Sequence, residues 1–389
     1  MKKGWLKTTL GEICEISTGK SNTEDAIENG SYAFFDRSKK VKTSSKYLFD
    51  CDAIIVAGEG QTFLPKFYSG KFDLHQRAYA IFNFKKNISV HYVYKYLIHF
   101  HKYFELVAVG ATAKSLRLRH FQDLPLPFPS LKEQEAIVEV LDKAFEEIDQ
   151  ATQNAQKNIR NAKDLFESYS NSTFSLQHGS WQKKTLNSLT TKIGSGATPR
   201  GGNESYKATG LSLIRSMNVH DRSFRNRGLA YIDEEQARKL DNVTVQSKDI
   251  LLNITGASVT RCCIIPDDYL PARVNQHVSI IRPNNEISPK FLCYLLTSNE
   301  YKSSLLKTGE EGGATRQAIT KQQLENFVIA FPKSLDEQEE IVQKLDELQA
   351  ETRQLEQIYQ QKINCLEELK QSILQKAFSG ELLKEASLV

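Results

Sequence analysis

Side chains able to read nucleic acid are the chemistry this sequence offers most densely. Arg37, Lys39, Lys40, Lys42 and Lys46 fall within one short stretch, with only the flanking Asp36 opposing them. Lys114, Arg117, Arg119 and His120 form a run without an acid. Arg215, Arg222, Arg225 and Arg227 cluster with Asn218 and Asn226 against Asp221, and Arg316 with Gln317 matches the Lys114 region. Lys20, Gln76, Arg77, Arg200 and Gln276 complete the candidate DNA-binding set. Arg, Asn and Gln carry planar forks that match guanine and adenine edges, whereas Lys mainly holds phosphates. Any one of these residues can equally be part of a solvated basic face. Their recurrence at corresponding places in two halves of the chain is what favours nucleic acid.

Constellations for catalysis are missing from the sequence. There is no Asn-Pro-Pro-Tyr or Asp-Pro-Pro-Tyr motif of an amino-methyltransferase and no nuclease-like acid–Lys cluster after a strand. Gly19-Lys20-Ser21 lacks the glycine that a phosphate loop needs five residues earlier, where Cys14 stands, so it reads as a strand-to-loop turn. Gly194-Ser-Gly196 and Gly201-Gly202 do not complete a dinucleotide fingerprint and read as a mobile loop. His75 and His277 lie in related segments but fall out of register when Gln76 is aligned with Gln276, which speaks against a shared catalytic role. The six cysteines show no C-x-x-C spacing. Cys14, Cys51 and Cys293 read as small core residues and Cys262–Cys263 as half-buried strand residues. No catalytic residue, metal site or cofactor is expected on this chain.

Two or three domains suit a chain of 389 residues, and 40% hydrophobic content supports real cores. The net charge of +4 permits nucleic-acid binding without establishing it. With no signal-peptide core and no run of about 20 apolar residues, a cytoplasmic location away from membranes is expected. An internal repeat organises the chain. The Trp5 opening returns at Trp181, 176 positions on, Gly110 at Gly313 (offset 203), and Ser130-Leu-Lys-Glu-Gln-Glu135 at Ser334-Leu-Asp-Glu-Gln-Glu339 (offset 204). The offset then stays at 204 as far as Phe174–Ser175 and Phe378–Ser379. Constant offset implies helices that tolerate no insertion; drifting offset implies loops. Both Ser-x-x-Glu starts are capping boxes after a proline.

Apolar spacing predicts a seam through Val138, Leu141, Phe145, Ile148, Thr152, Ala155, Ile159, Ala162, Phe166 and Tyr169. A second seam is predicted through Leu345, Leu348, Thr352, Leu355, Tyr359, Leu366, Leu369 and Ile373, broken at Lys362. Such seams most simply pack on each other. The expected organisation is a mixed α/β (α+β) domain over 1–129, a helical spacer over 130–178, a second α/β domain over 179–332 and a second spacer over 333–389. The paired helices would form a coiled coil with pseudo-two-fold symmetry. Strands are expected at Asp52–Ala57, Asp249–Ile254, Ala78–Phe82 and Val278–Ile281, and helices at Val90–His101 and Pro289–Thr297.

The Trp5 and Trp181 openings, Leu10-Gly-Glu-Ile13, the Gly-Ser-Gly-Ala-Thr-Pro199 loop and the twin Leu-x-Glu-Gln-Glu helix starts resemble the specificity subunits of type I restriction-modification systems. The first domain lacks the Ala-Thr-Pro element after Gly19. The resemblance implies a non-catalytic protein whose two target-recognition domains each read one half of a split site in double-stranded DNA. It also implies helices that dock two modification subunits, which carry S-adenosylmethionine and methylate adenine, and that restriction subunits join the complex. A coiled-coil scaffold without DNA binding, or the recognition subunit of another DNA-modification enzyme, is the alternative.

Overall fold

The computed structural model describes residues 4–110, 114–175, 181–310 and 318–383. The chain divides into two compact units, 1–157 with 359–389 and 158–358. Each unit therefore takes half of both long helices, Leu131–Ser175 and Leu335–Ser379. The early half of one helix belongs with the late half of the other, so the pair runs antiparallel. Both helices have 45 residues, about 65 Å at ~1.5 Å per residue.

In the first unit, β1 (Leu6–Thr9) is joined by β2 (Glu15–Thr18), β3 (Tyr32–Phe35), β4 (Lys42–Ser44), β5 (Phe49–Ala57), β6 (Glu59–Gly60), β7 (Lys66–Leu74), β8 (Ala78–Phe82), β9 (Lys114–Ser115) and β10 (Pro125–Phe128). Six of them form a sheet in the order β2-β8-β5-β7-β3-β4, in which β3 and β7 are parallel. A separate ribbon pairs β1 with β10 ahead of the first long helix. Leu10, Ile54, Ile81, Tyr92 and Phe121 form the main core with Ile137 and Leu141 of the first long helix and Leu374, Ala377 and Phe378 of the second.

The second unit repeats the plan with β11 (Gln182–Thr185), β12 (Thr190–Ser195), β13 (Leu211–Ile214), β14 (Val219–His220), β15 (Ser223–Phe224), β16 (Ala230–Ile232), β17 (Thr244–Val245), β18 (Ile250–Asn253), β19 (Cys262–Ile264), β20 (Ala272–Val274), β21 (Val278–Pro283) and β22 (Val328–Phe331). Here the sheet is split in two, β12-β21-β18-β19 and β16-β13-β20-β17. The parallel pair survives as β13 with β20, and the ribbon as β11 with β22. Strand alternation serves two cores from β18: Ile250 and Leu252 join a core with Phe166, Phe174, Val342 and Leu345 of the long helices, while Leu251 faces Ile214, Val274 and Ile280. Cys262 and Cys263 are fully buried rather than half-buried, and Gly194 lies in β12 rather than in a mobile loop.

Both helix starts are locked by the same glutamine. Gln134 is buried; its Oε1 accepts the Ser89 N–H at 2.9 Å, and its Nε2 donates to the carbonyls of Asn87 at 3.2 Å and Pro129 at 3.0 Å. Gln338 repeats this with the Ser288 N–H at 2.8 Å and the carbonyls of Glu286 at 3.1 Å and Pro332 at 2.9 Å. The capping box is reciprocal at the first start, where Ser130 N donates to Glu133 at 3.2 Å and Glu133 N to Ser130 Oγ at 3.4 Å. Gln338→Ala would strand one buried N–H and two carbonyls. It is expected to destabilise the second unit by at least roughly 3 kcal/mol, since each of the three abandoned groups costs ~1–3 kcal/mol. Denaturant unfolding measures this; an unchanged midpoint would show that the carboxamide does not fix the helix start.

Most of the expected seam is observed: on the first long helix every expected position from Val138 to Phe166 is buried or half-buried, and on the second so are Leu345, Leu348, Thr352, Tyr359, Leu366 and Ile373. On the second long helix the buried or half-buried line runs through Thr352, Glu356, Tyr359, Ile363, Leu366, Lys370 and Ile373, while Leu355 and Leu369 are exposed. Charged pairs occupy part of it: Lys370 meets Asp149 at 3.1 Å, and Lys163 meets Glu356 at 3.6 Å. On the first helix, Ser170 is buried where Tyr169 was expected. The observed line on the second helix still alternates steps of three and four, with Glu356, Ile363 and Lys370 standing where Leu355, Lys362 and Leu369 are expected.

Candidate nucleic-acid interface

The end of the first unit's sheet gathers residues far apart in sequence. After β2, the chain passes over the segment between β7 and β8 so closely that a Cβ on Gly19 would lie 1.8 Å from the Leu74 carbonyl oxygen. Ser21 then bridges to His75, and its hydroxyl donates to Asp73 at 2.8 Å. Asp73 is buried and also accepts from the Ser44 hydroxyl at 3.1 Å and the Leu74 N–H at 2.9 Å. His75 is a turn residue: its Nδ1 accepts the Arg77 N–H at 3.0 Å, and burial lowers its pKa. On this base, Gln76 donates to the Asn22 side chain, and Arg77 Nη1 meets both carboxylate oxygens of Glu59 at 2.8 and 2.9 Å. Arg37 Nη1 reaches the same carboxylate at 3.2 Å. The Arg77 hydrogen bond is the main cause of the lowered Glu59 pKa. β6 pairs with β9, which sets Gly60 opposite Lys114.

Lys20, Arg37, Gln76, Arg77 and Lys114 thus converge, and all five are exposed. Lys39, Lys40, Arg117 and Arg119 are exposed on the adjoining loops. Lys42 is held by Asp36 at 2.6 Å and Lys46 by Asp25 at 2.9 Å.

The second unit builds the same edge with different side chains. A Cβ on Gly196 would lie 1.8 Å from the Val274 carbonyl oxygen, so Gly196 is the counterpart of Gly19 despite the differing motifs around them. Thr198 bonds to Gln276, and Thr255 bonds to His277 Nδ1 at 2.6 Å, occupying the places of Glu59 and Arg77. Thr255 pairs with Ala318 as Glu59 pairs with Ser115. Arg200 and Gln276 are exposed here, and Arg200 shares a cavity lining with Gln236 and Lys239. Arg316 and Gln317 lie outside the described residues.

The arginine cluster of this unit separates into different jobs. Arg225 and Arg227 are exposed. Arg215 stacks on Tyr206 at 5.2 Å and donates to the Gly228 carbonyl. Asn218 is fully buried; its Oδ1 accepts the Arg215 N–H at 3.0 Å and its Nδ2 donates to the Arg225 carbonyl at 2.8 Å, so it shapes the loop. Arg222, in the turn between β14 and β15 at φ 55°, points inward. It meets Glu167 at 2.6 Å and Thr297 at 3.2 Å and lies over Phe166 at 4.7 Å, clamping the β14–β15 hairpin to the first long helix. Sequence reasoning missed Glu59 and the two glutamines. The glutamines are visible in the repeated Leu-x-Glu-Gln-Glu, and Glu59 in being the one acid flanked by Gly58 and Gly60 just past a strand.

The model of the type I restriction modification DNA specificity domain matches residues 2–160 and again 178–365. The chain belongs to this family. Within it, the chain is 32% identical over 145 residues to the EcoDI specificity subunit of Escherichia coli, covering 37% of this chain and 32% of that one. It is 27% identical over 303 residues to the Escherichia coli EcoBI specificity subunit, covering 70% and 61%. The matched stretches thus span less than two thirds of these relatives' length. A chain from a structural study of type I complex assembly and conformational transition superposes with a TM-score of 0.76 at 18% identity, over 98% of this chain and 99% of that one. The HsdS subunit of Thermoanaerobacter tengcongensis gives 0.58 at 17% identity over 98% of each. Among the described residues, no helix of this specificity-family chain is long and apolar enough to cross a membrane.

Proposed function

We propose that the chain is the non-catalytic DNA-recognition subunit of a type I restriction-modification complex, each unit reading one half of a bipartite target. The observation that carries this is the duplicated sheet edge, built twice around an over-passing glycine and lined with exposed forks and cations. In the first unit the reading set is Lys20, Arg37, Lys39, Lys40, Gln76, Arg77, Lys114, Arg117 and Arg119; in the second it is Arg200, Arg225, Arg227 and Gln276, with Arg215 and Asn218 as loop supports, and Arg316 and Gln317 belong to the set on sequence alone. Arg222 serves the helix contact. S-adenosylmethionine belongs to two modification subunits that dock on the helices, where Leu165, Leu355, Ile358 and Leu369 stay exposed, and restriction subunits join the assembly.

The purified chain should transfer no methyl group to DNA alone and should confer sequence-specific adenine methylation once the modification subunits are added. Arg225→Ala with Arg227→Ala should weaken DNA binding by the complex. A lost phosphate contact flattens the salt slope by ~0.9 for all sequences, and a lost base contact costs ~1–3 kcal/mol at one base pair. Methyl transfer by the chain alone, or a complex indifferent to sequence, would refute the reading.

A further inference from the structure

In the first unit's edge, a single carboxylate sits beneath two guanidinium groups. Glu59 has a side chain 18% exposed, whereas those of Arg37 and Arg77 are 50% and 56% exposed. The acid is the inner partner and the arginines the outer ones. Glu59 is itself fixed, on a strand paired to β9 and with the Ser115 hydroxyl 3.5 Å from its Oε1. Both contacts are made by Nη1 and both side chains are about half exposed, so Glu59 does not engage the Nε and Nη2 donors of either arginine. An exposed ion pair adds little stability, ~0–1 kcal/mol, so folding alone is a poor reason for a carboxylate amid the cations of a DNA-facing edge. Holding flexible side chains in their bound geometry does have a use: it removes ordering cost on binding and sharpens discrimination. The second unit has Thr255 and His277 at this place and no carboxylate, so the device belongs to one half only.

We propose that Glu59 is a positioning residue for specificity: it presets Arg37 and Arg77 as a fork for a base edge with two acceptors, such as guanine, in the half-site read by the first unit. The proposal rests on the DNA-reading function above. Its test is the sequence preference of the full chain with its modification subunits, wild type against Glu59→Ala and Glu59→Asp, read by selection from randomised duplexes.

For Glu59→Ala, discrimination at one or two base pairs of one half-site is expected to fall roughly 5- to 150-fold, the equivalent of ~1–3 kcal/mol per base contact. The other half-site should be unchanged. Non-specific binding should tighten and its salt slope steepen, because two arginines are released to phosphates. Glu59→Asp should recover part of the discrimination. Unaltered preference, or equal relaxation of both half-sites, would overturn the proposal, as would a lowered melting temperature with preference intact. If the wild-type complex itself shows no preference, the DNA-reading function fails and the proposal falls with it, an outcome distinguishable because wild type and variants then behave alike.

Discussion

A complex whose two long helices are each lengthened by one turn is expected to recognise the same two half-site sequences at a larger spacing. Four residues would be added after Lys157 in the first helix and four before Tyr359 in the second, where the compact units divide. Insertion into one helix alone, for instance near Gln153, would break the antiparallel register that joins Asp149 to Lys370 and Lys163 to Glu356. Paired insertion leaves each unit's own contacts intact. Four residues add ~6 Å at ~1.5 Å per residue, or ~1–2 base pairs at ~3.4 Å per step. Under the proposed function, helices of equal length are a ruler that sets the spacing of the two half-sites, and two-fold readers engage half-sites about one helical turn apart. Methylome sequencing of cells carrying the variant with its modification subunits reads the outcome. Changed half-site bases at an unchanged spacing would contradict the ruler.

Phe378→Ala should destabilise the first unit by ~3–5 kcal/mol, the usual cost of truncating a buried phenylalanine. Phe378 is 7% exposed and meets the rings of Tyr96 at 5.0 Å, Tyr92 at 5.4 Å and His99 at 5.6 Å. A residue near the end of the sequence thus completes a core laid down near its beginning. Urea unfolding followed by limited proteolysis should show the first unit opening early while the second keeps its midpoint. Equal loss in both units, or no loss, would be inconsistent with this packing. A fragment ending at Lys157 should be unstable for the same reason, since it lacks Leu374, Ala377 and Phe378.

Much of this architecture was legible because it is written twice. The capping boxes at Ser130 and Ser334 located both long helices, and the constant offset gave their equal lengths. The strands around Ile54 and Leu251 and the helix Pro289–Thr297 stood where alternation and punctuation put them. Convergence of Lys20, Arg37, Gln76 and Arg77 follows from a shared property, since each lies just beyond a strand end of the six-stranded sheet, and the separate β6–β9 pair adds Lys114. What escaped the sequence depends on side-chain direction. Nothing in the spacing of Arg222, Arg225 and Arg227 says that the first turns inward at a positive φ while the others face out. Asn218 has the chemistry of a base reader and is consumed by its own loop. The seam through Glu356 and Lys370 was hidden because ion pairs hold places where apolar residues were sought, with Leu355 and Leu369 one position away.

That two units of one chain each read half of a target is tested most directly by methylome sequencing of a host carrying the wild-type chain with its modification subunits. Two short specific segments separated by a constant number of unread base pairs, with adenine modified in the specific segments, is the expected pattern. A single contiguous motif, or methylation without sequence preference, would contradict it.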